Sequence, residues 1–172
     1  MHAYIPLHIG RGLDKSLQRK LAKAVLFFHR NTNIRFKERT NNDKDYLYIS
    51  HTKNLCYSET IGRKGGRQKI NLDGDNAQCW QHGNGTIVHE LMHVLGFVHE
   101  HSREDRSLYV NVHWENIPDG LRRNFETALK LKLPYWDVGK YDYPSVMHYA
   151  SKGPLGLTWL TAKQRPINRQ YR

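Results

Sequence analysis

Residues His89–Arg106 read HELMHVLGFVHEHSREDR, and the winding of this stretch decides what the rest of the chain must support. Read as a helix, its first part puts His89 and His93 on one face, four residues apart, with Glu90 beside them. Imidazoles at that spacing can share one metal ion, and an adjacent carboxylate can act as general base on a water held there. Gly96 allows a left-handed turn that residues with side chains resist. The chain can then leave the helix and bring a third imidazole, His99, back to the same ion. Three neutral nitrogens with one position left open describe a catalytic zinc site rather than a closed structural one. HExxH alone is a weak signal in a chain with 11 histidines. Gly96 and His99 at fixed offsets make it a strong one.

The pattern HExxHxxGxxH resembles that of the metzincin zinc peptidases. Its continuation, His99 through Arg106, is similar to the longer HExxHxxGFxHExxRxDR signature of the astacin family, and Ser145-Val146-Met147-His148-Tyr149 resembles the SxMHY turn of that family. The resemblance covers about residues 4–149. It implies an α+β fold, a metzincin, zincin-like two-lobed catalytic domain. A mixed twisted sheet and the zinc-binding helix would form an N-terminal lobe of about residues 1–99. A shortened, irregular C-terminal lobe of about 100–172 would complete a single peptidase domain.

The resemblance also implies roles. One zinc ion would be held by His89, His93 and His99, with Tyr149 as a fifth ligand able to swing away and hydrogen-bond an oxyanion. Glu90 would be general base and proton shuttle, and Met147 an apolar floor under the metal. Glu100 would meet a freed N-terminal amino group in the family. With few residues before the first strand here, Arg103 or Arg106 is expected to satisfy it instead. Lys152 can face the pocket for the residue after the scissile bond and favour acidic side chains there, although a solvated lysine is the plainer reading. The expected activity is that of a zinc endopeptidase acting on protein or peptide substrates, as a monomer.

Composition bounds the alternatives. At 172 residues, the chain can bury a real core in one domain. The formal charge of +11 favours anionic partners, but the basic residues are scattered, with a denser stretch at Arg63, Lys64, Arg67 and Lys69. A solvated surface accounts for them, no nucleic-acid motif accompanies them, and no nucleic-acid partner is expected. The Gly62–Gly66 turn lacks the P-loop pattern. No apolar run approaches the roughly 20 residues of a membrane span. The start, MHAYIPLHIGRG, lacks the charged and apolar regions of a signal peptide, so either a leader has been removed or the protein is not exported by that route. Cys56 and Cys79 are read from the residues alone as either two thiols or a pair; paired, they would close a loop worth roughly 3 kcal/mol. The resemblance implies the disulfide, and with it a secreted, extracellular protein. A second function class is a catalytically impaired binding module that keeps the metal site, against which Glu90 and Tyr149 are both present. A third, a basic nucleic-acid- or glycan-binding module, rests on charge alone.

In chain order, Tyr4–Ile9 reads as a strand, with Pro6 arguing for an edge or a bulge. Leu13, Leu17, Leu21, Ala24, Val25 and Phe28 recur at helical spacing from about Gly12 to Arg30. Ile34–Lys37 and Tyr46–Ile49 alternate as strands do, and Gln68–Leu72 reads as an edge strand, the kind that pairs with an extended substrate in the family. Thr86 is the expected N-cap of the zinc helix, and a further helix is expected from Leu121 to about Leu131. Near the C-terminus, Trp159, Leu160 and Ile167 are expected to add little packing.

Overall fold

The computed structural model describes residues 2–53, 55–75, 77–80, 83 and 85–163, so Ile167 lies outside the described residues. The chain divides into two compact units, Met1–Phe97 and Val98–Arg172.

In the first unit, β1 (Ala3–Ile9) leads into α1 (Lys15–Asn31), then β2 (Ile34–Glu38), β3 (Tyr46–Ser50), β4 (Tyr57–Ser58), β5 (Arg67–Asn71) and α2 (Gly85–Val94). The strands form one mixed sheet in the order β2-β1-β3-β5-β4, parallel except for β4, which runs antiparallel to β5. Alternation decides its two faces. Leu47, Ile49 and Ile70 point into a core shared with Leu17, Leu21, Ala24 and Phe28 of α1 and Ile87 and Leu91 of α2. Tyr46 and Tyr48 point the other way, beneath the guanidinium groups of Arg39 and Arg67. Asp14 starts α1 by accepting the Ser16 and Leu17 N–H groups at 2.6 and 2.9 Å, which satisfies donors no helix can pair internally.

Three expectations for this unit are corrected. The strand carrying Pro6 is internal. Pro6 pairs with Lys37 of β2, while pairing to β3 begins only at Leu7, so the missing N–H faces a stretch that has no ladder to complete. The β5 strand is also internal; the two-residue β4 lies outside it. Thr86 sits inside the first turn of α2 rather than before it, and its hydroxyl donates to the Cys79 carbonyl. Cys79 is bonded to Cys56, the expected pairing. The segment leading to Cys56 is held by Asn71, which is fully buried. Its Oδ1 accepts from the Ser50 and Thr52 hydroxyls, each at 2.7 Å, and from the Thr52 N–H at 3.1 Å. Its Nδ2 donates to the Thr52 and Leu55 carbonyls at 3.0 and 2.8 Å.

The second unit has little regular structure. β6 (Val110–Val112) pairs antiparallel with β7 (Leu160–Ala162), around a core of Val110, Ile117, Phe125, Tyr141 and Leu160. The helix expected from Leu121 to Leu131 is only a single turn, α3 (Asp119–Arg122), with a 3₁₀ turn after it (Arg123–Phe125). Beyond it, tertiary partners take the backbone donors a helix would need: Ala128 N–H goes to Ser102 O at 3.0 Å and Leu129 N–H to the Glu104 carboxylate at 2.7 Å. Trp159 and Leu160 do contribute packing, contrary to expectation. Leu160 is 2% exposed, and the Trp159 ring meets Phe125 edge-on at 5.5 Å.

Replacing Asn71 with the near-isosteric Leu leaves the Ser50, Thr52 and Leu55 polar groups without their buried partner. The expected loss is about 3 kcal/mol or more, measured by urea unfolding; a loss under about 1 kcal/mol would refute the structural role of this network.

Candidate metal centre

α2 ends in a Schellman turn. Phe97 N–H donates to Met92 O at 3.0 Å and Gly96 N–H to His93 O at 3.0 Å, with Gly96 at φ +100°. Gly62, in the turn between β4 and β5, donates its own N–H to the same His93 carbonyl at 2.8 Å. This turn directs the Phe97 carbonyl onto the side chain of His93, whose Nδ1 lies 2.8 Å from it. A carbonyl only accepts, so Nδ1 carries the proton and Nε2 is left with its lone pair for a metal. Burial first, then neighbouring His89, push the His93 imidazole down to about 4, against the upward pull of the Phe97 carbonyl. The ring is therefore neutral at neutral pH, as a ligand must be.

The turn also sends the chain on to His99. One ring nitrogen from each of His89, His93 and His99 lies within 4.8 Å of the others, and the His89 and His93 rings stand edge to face at 4.6 Å. Three imidazoles are a donor set that zinc favours, and the nitrogens lie close enough together to fit one ion.

Glu90 projects from the same helix and is 7% exposed. Burial pushes its carboxyl up to about 7, against the lowering effect of the Ser58 backbone N–H. The sheet sets the direction of that N–H: Glu59 N–H points inward to Lys69 O at 2.9 Å, so the preceding N–H of β4 points outward. Nothing in a two-residue strand announces this in the sequence.

The remaining expected residues lie in the second unit. Tyr149 packs its ring 4.4 Å from that of His99. Met147 is 2% exposed, and its carbonyl accepts the Glu100 N–H at 3.0 Å. The Glu100 carboxylate accepts the Asp142 N–H at 2.9 Å and lies 3.5 Å from Arg103. Of the two arginines expected there, Arg103 reaches it, while Arg106 donates to the His101 and Phe125 carbonyls. Lys152 is exposed, in a bridge with Thr158. Sequence reasoning passed over Ser58, the Phe97 carbonyl and His101, because backbone groups and variable positions within a motif carry no residue-type signal.

The family model described as Astacin, a peptidase family, matches residues 1–164. The chain belongs to the astacin family. Among its relatives, zinc metalloproteinase nas-14 of Caenorhabditis elegans is 37% identical over 84% of this chain, and zinc metalloproteinase nas-8 of Steinernema carpocapsae is 42% identical over 86%. The chain spans 28% and 33% of their lengths, about a third. High choriolytic enzyme 1, a hatching enzyme zinc-protease from the medaka Oryzias latipes, superposes with a TM-score of 0.81 at 32% identity, over 96% of this chain and 79% of that one. The α+β fold expected for an astacin is thereby established, and the cofactor of this astacin-family chain is zinc, for which the three histidines are positioned.

A side chain at Gly96 must adopt the same positive φ. Its Cβ would meet the Gly62 Cα only at 4.0 Å, so the cost is conformational rather than steric. Gly96→Ala is expected to lower stability by about 1–2 kcal/mol in urea unfolding and to weaken zinc retention in chelator competition. Unchanged stability and retention would contradict the role given to this turn.

Proposed function

We propose that this chain is the catalytic domain of a zinc-dependent endopeptidase that hydrolyses peptide bonds in protein substrates. The observation that carries the proposal is three converging histidine nitrogens on and just after the helix that holds the buried carboxylate of Glu90. Zinc, when bound, supplies a Lewis acid that polarises a carbonyl and makes water more acidic.

Each residue of the chain then has a task. His89, His93 and His99 hold the ion, the His93 tautomer being set by Phe97 O. Glu90, buried and with its carboxyl pushed up to about 7, takes the proton from the attacking water and delivers it to the leaving amine. Tyr149, packed on His99, is suited to act as a further ligand and then as a phenolic donor to the oxyanion. Met147 supplies a buried apolar surface under the metal. β4, the outer strand, offers backbone groups to an extended substrate in place of the internal β5. Lys152, exposed and cationic, fits a preference for acidic residues after the scissile bond. Residues 1–172 act as one peptidase domain and as a monomer. The Cys56–Cys79 disulfide fits an extracellular setting.

The test is cleavage of casein by the zinc-loaded chain. Removing zinc with a chelator abolishes cleavage and readdition restores it. Glu90→Gln retains the metal but loses about 10²- to 10⁴-fold in kcat. A Glu90→Gln variant that cuts at the unaltered rate would remove the general base from the mechanism. A folded, zinc-loaded chain that does not cut would favour a metal-keeping binding module.

A further inference from the structure

His101 lies at a variable position of the extended motif, two residues after His99, and is fully buried. Its Nε2 is 3.1 Å from the Asn124 carbonyl, which can only accept. The ring proton therefore sits on Nε2, leaving Nδ1 to accept the Tyr149 N–H at 3.3 Å. One neutral tautomer satisfies both bonds. The same ring lies nearly parallel to His99, at 5.0 Å and 14°, and against Tyr149 at 4.5 Å. Phe125 closes the group, 5.1 Å from His101 and 5.3 Å from Tyr149.

We propose that His101 is a positioning residue of the metal centre: its Nδ1 fixes the backbone of Tyr149, whose ring packs against His99. The proposal rests on the peptidase reading above for its effect on turnover, but not for its effect on the metal. The physical case is one of degrees of freedom. A tyrosine that must alternate between metal and oxyanion needs a movable side chain on an immovable backbone. The hydrogen bond to His101 supplies the second. The Tyr149 ring carried by that backbone packs 4.4 Å from the His99 imidazole, and the His101 ring lies beside both, 5.0 Å from His99 and 4.5 Å from Tyr149.

Gln and Met are nearly identical in length and shape and differ in hydrogen bonding, so they separate positioning from volume. His101→Gln can accept from Tyr149 and donate to Asn124; His101→Met can do neither. On casein, the Gln variant is expected to keep kcat within about threefold, and the Met variant to lose about tenfold or more with KM nearly unchanged. In chelator competition, a readout independent of turnover, the Met variant should also release zinc about tenfold faster than the Gln variant. Gln and Met variants that behave alike in both measurements, whether both intact or both impaired, would reduce His101 to a packed core side chain and overturn the proposal. If the unaltered chain cleaves nothing, the peptidase reading fails by itself. Zinc release still decides for His101: faster release from Met than from Gln supports it, and equal release overturns it.

Discussion

The left-handed turn at Gly96 is the constraint on which the site depends. It closes the zinc helix with paired backbone bonds, sends the chain toward His99, and lays the Phe97 carbonyl on His93 so that the correct nitrogen is exposed. A residue with a Cβ would strain all three at once. The backbone of Gly62 approaches the same turn, its Cα being 4.0 Å from the position a Gly96 Cβ would take, and it caps the His93 carbonyl. Two glycines far apart in sequence thus serve one helix terminus.

The residues after this turn follow a different logic. Arg103 holds Asp105 through two bonds, at 2.8 and 2.9 Å, and also donates to the Val138 and Gly139 carbonyls. Arg106 donates to the carbonyls of His101 and Phe125. A planar guanidinium with five donors can satisfy several irregular backbone carbonyls at once, which lysine cannot. The charged positions of the extended motif therefore stand in for secondary structure in a unit whose paired strands are three residues long.

What was legible in the sequence was what periodicity or fixed spacing encodes. The apolar spacing of α1, the alternation Tyr46-Leu47-Tyr48-Ile49 and the HExxHxxGxxH run each translate directly into geometry. The errors arose where a local rule met a long-range partner. Pro6 looked like an edge residue because its missing donor was assumed to cost a ladder bond, yet the neighbouring strand starts only after it. The helix predicted through Leu131 gave way because Ser102 and Glu104, remote in sequence, captured its donors. Asn71 and His101 gave no signal: a buried Asn or His at an unremarked position reads as ordinary until its partners from elsewhere in the chain are known.

The sheet order carries one more consequence. β2 has β1 on one side and forms the edge of the sheet on the other, with Arg35 and Lys37 flanking Phe36 along it. Two copies approaching edge to edge, centred on Phe36, would oppose Arg35 of one to Lys37 of the other. Lys37 is offset by Asp43, 2.7 Å away, so the charge that opposes such pairing is that of Arg35 and of two chains each carrying +11. The open edge of the sheet thus sets a cation, not an apolar strip, toward any second copy.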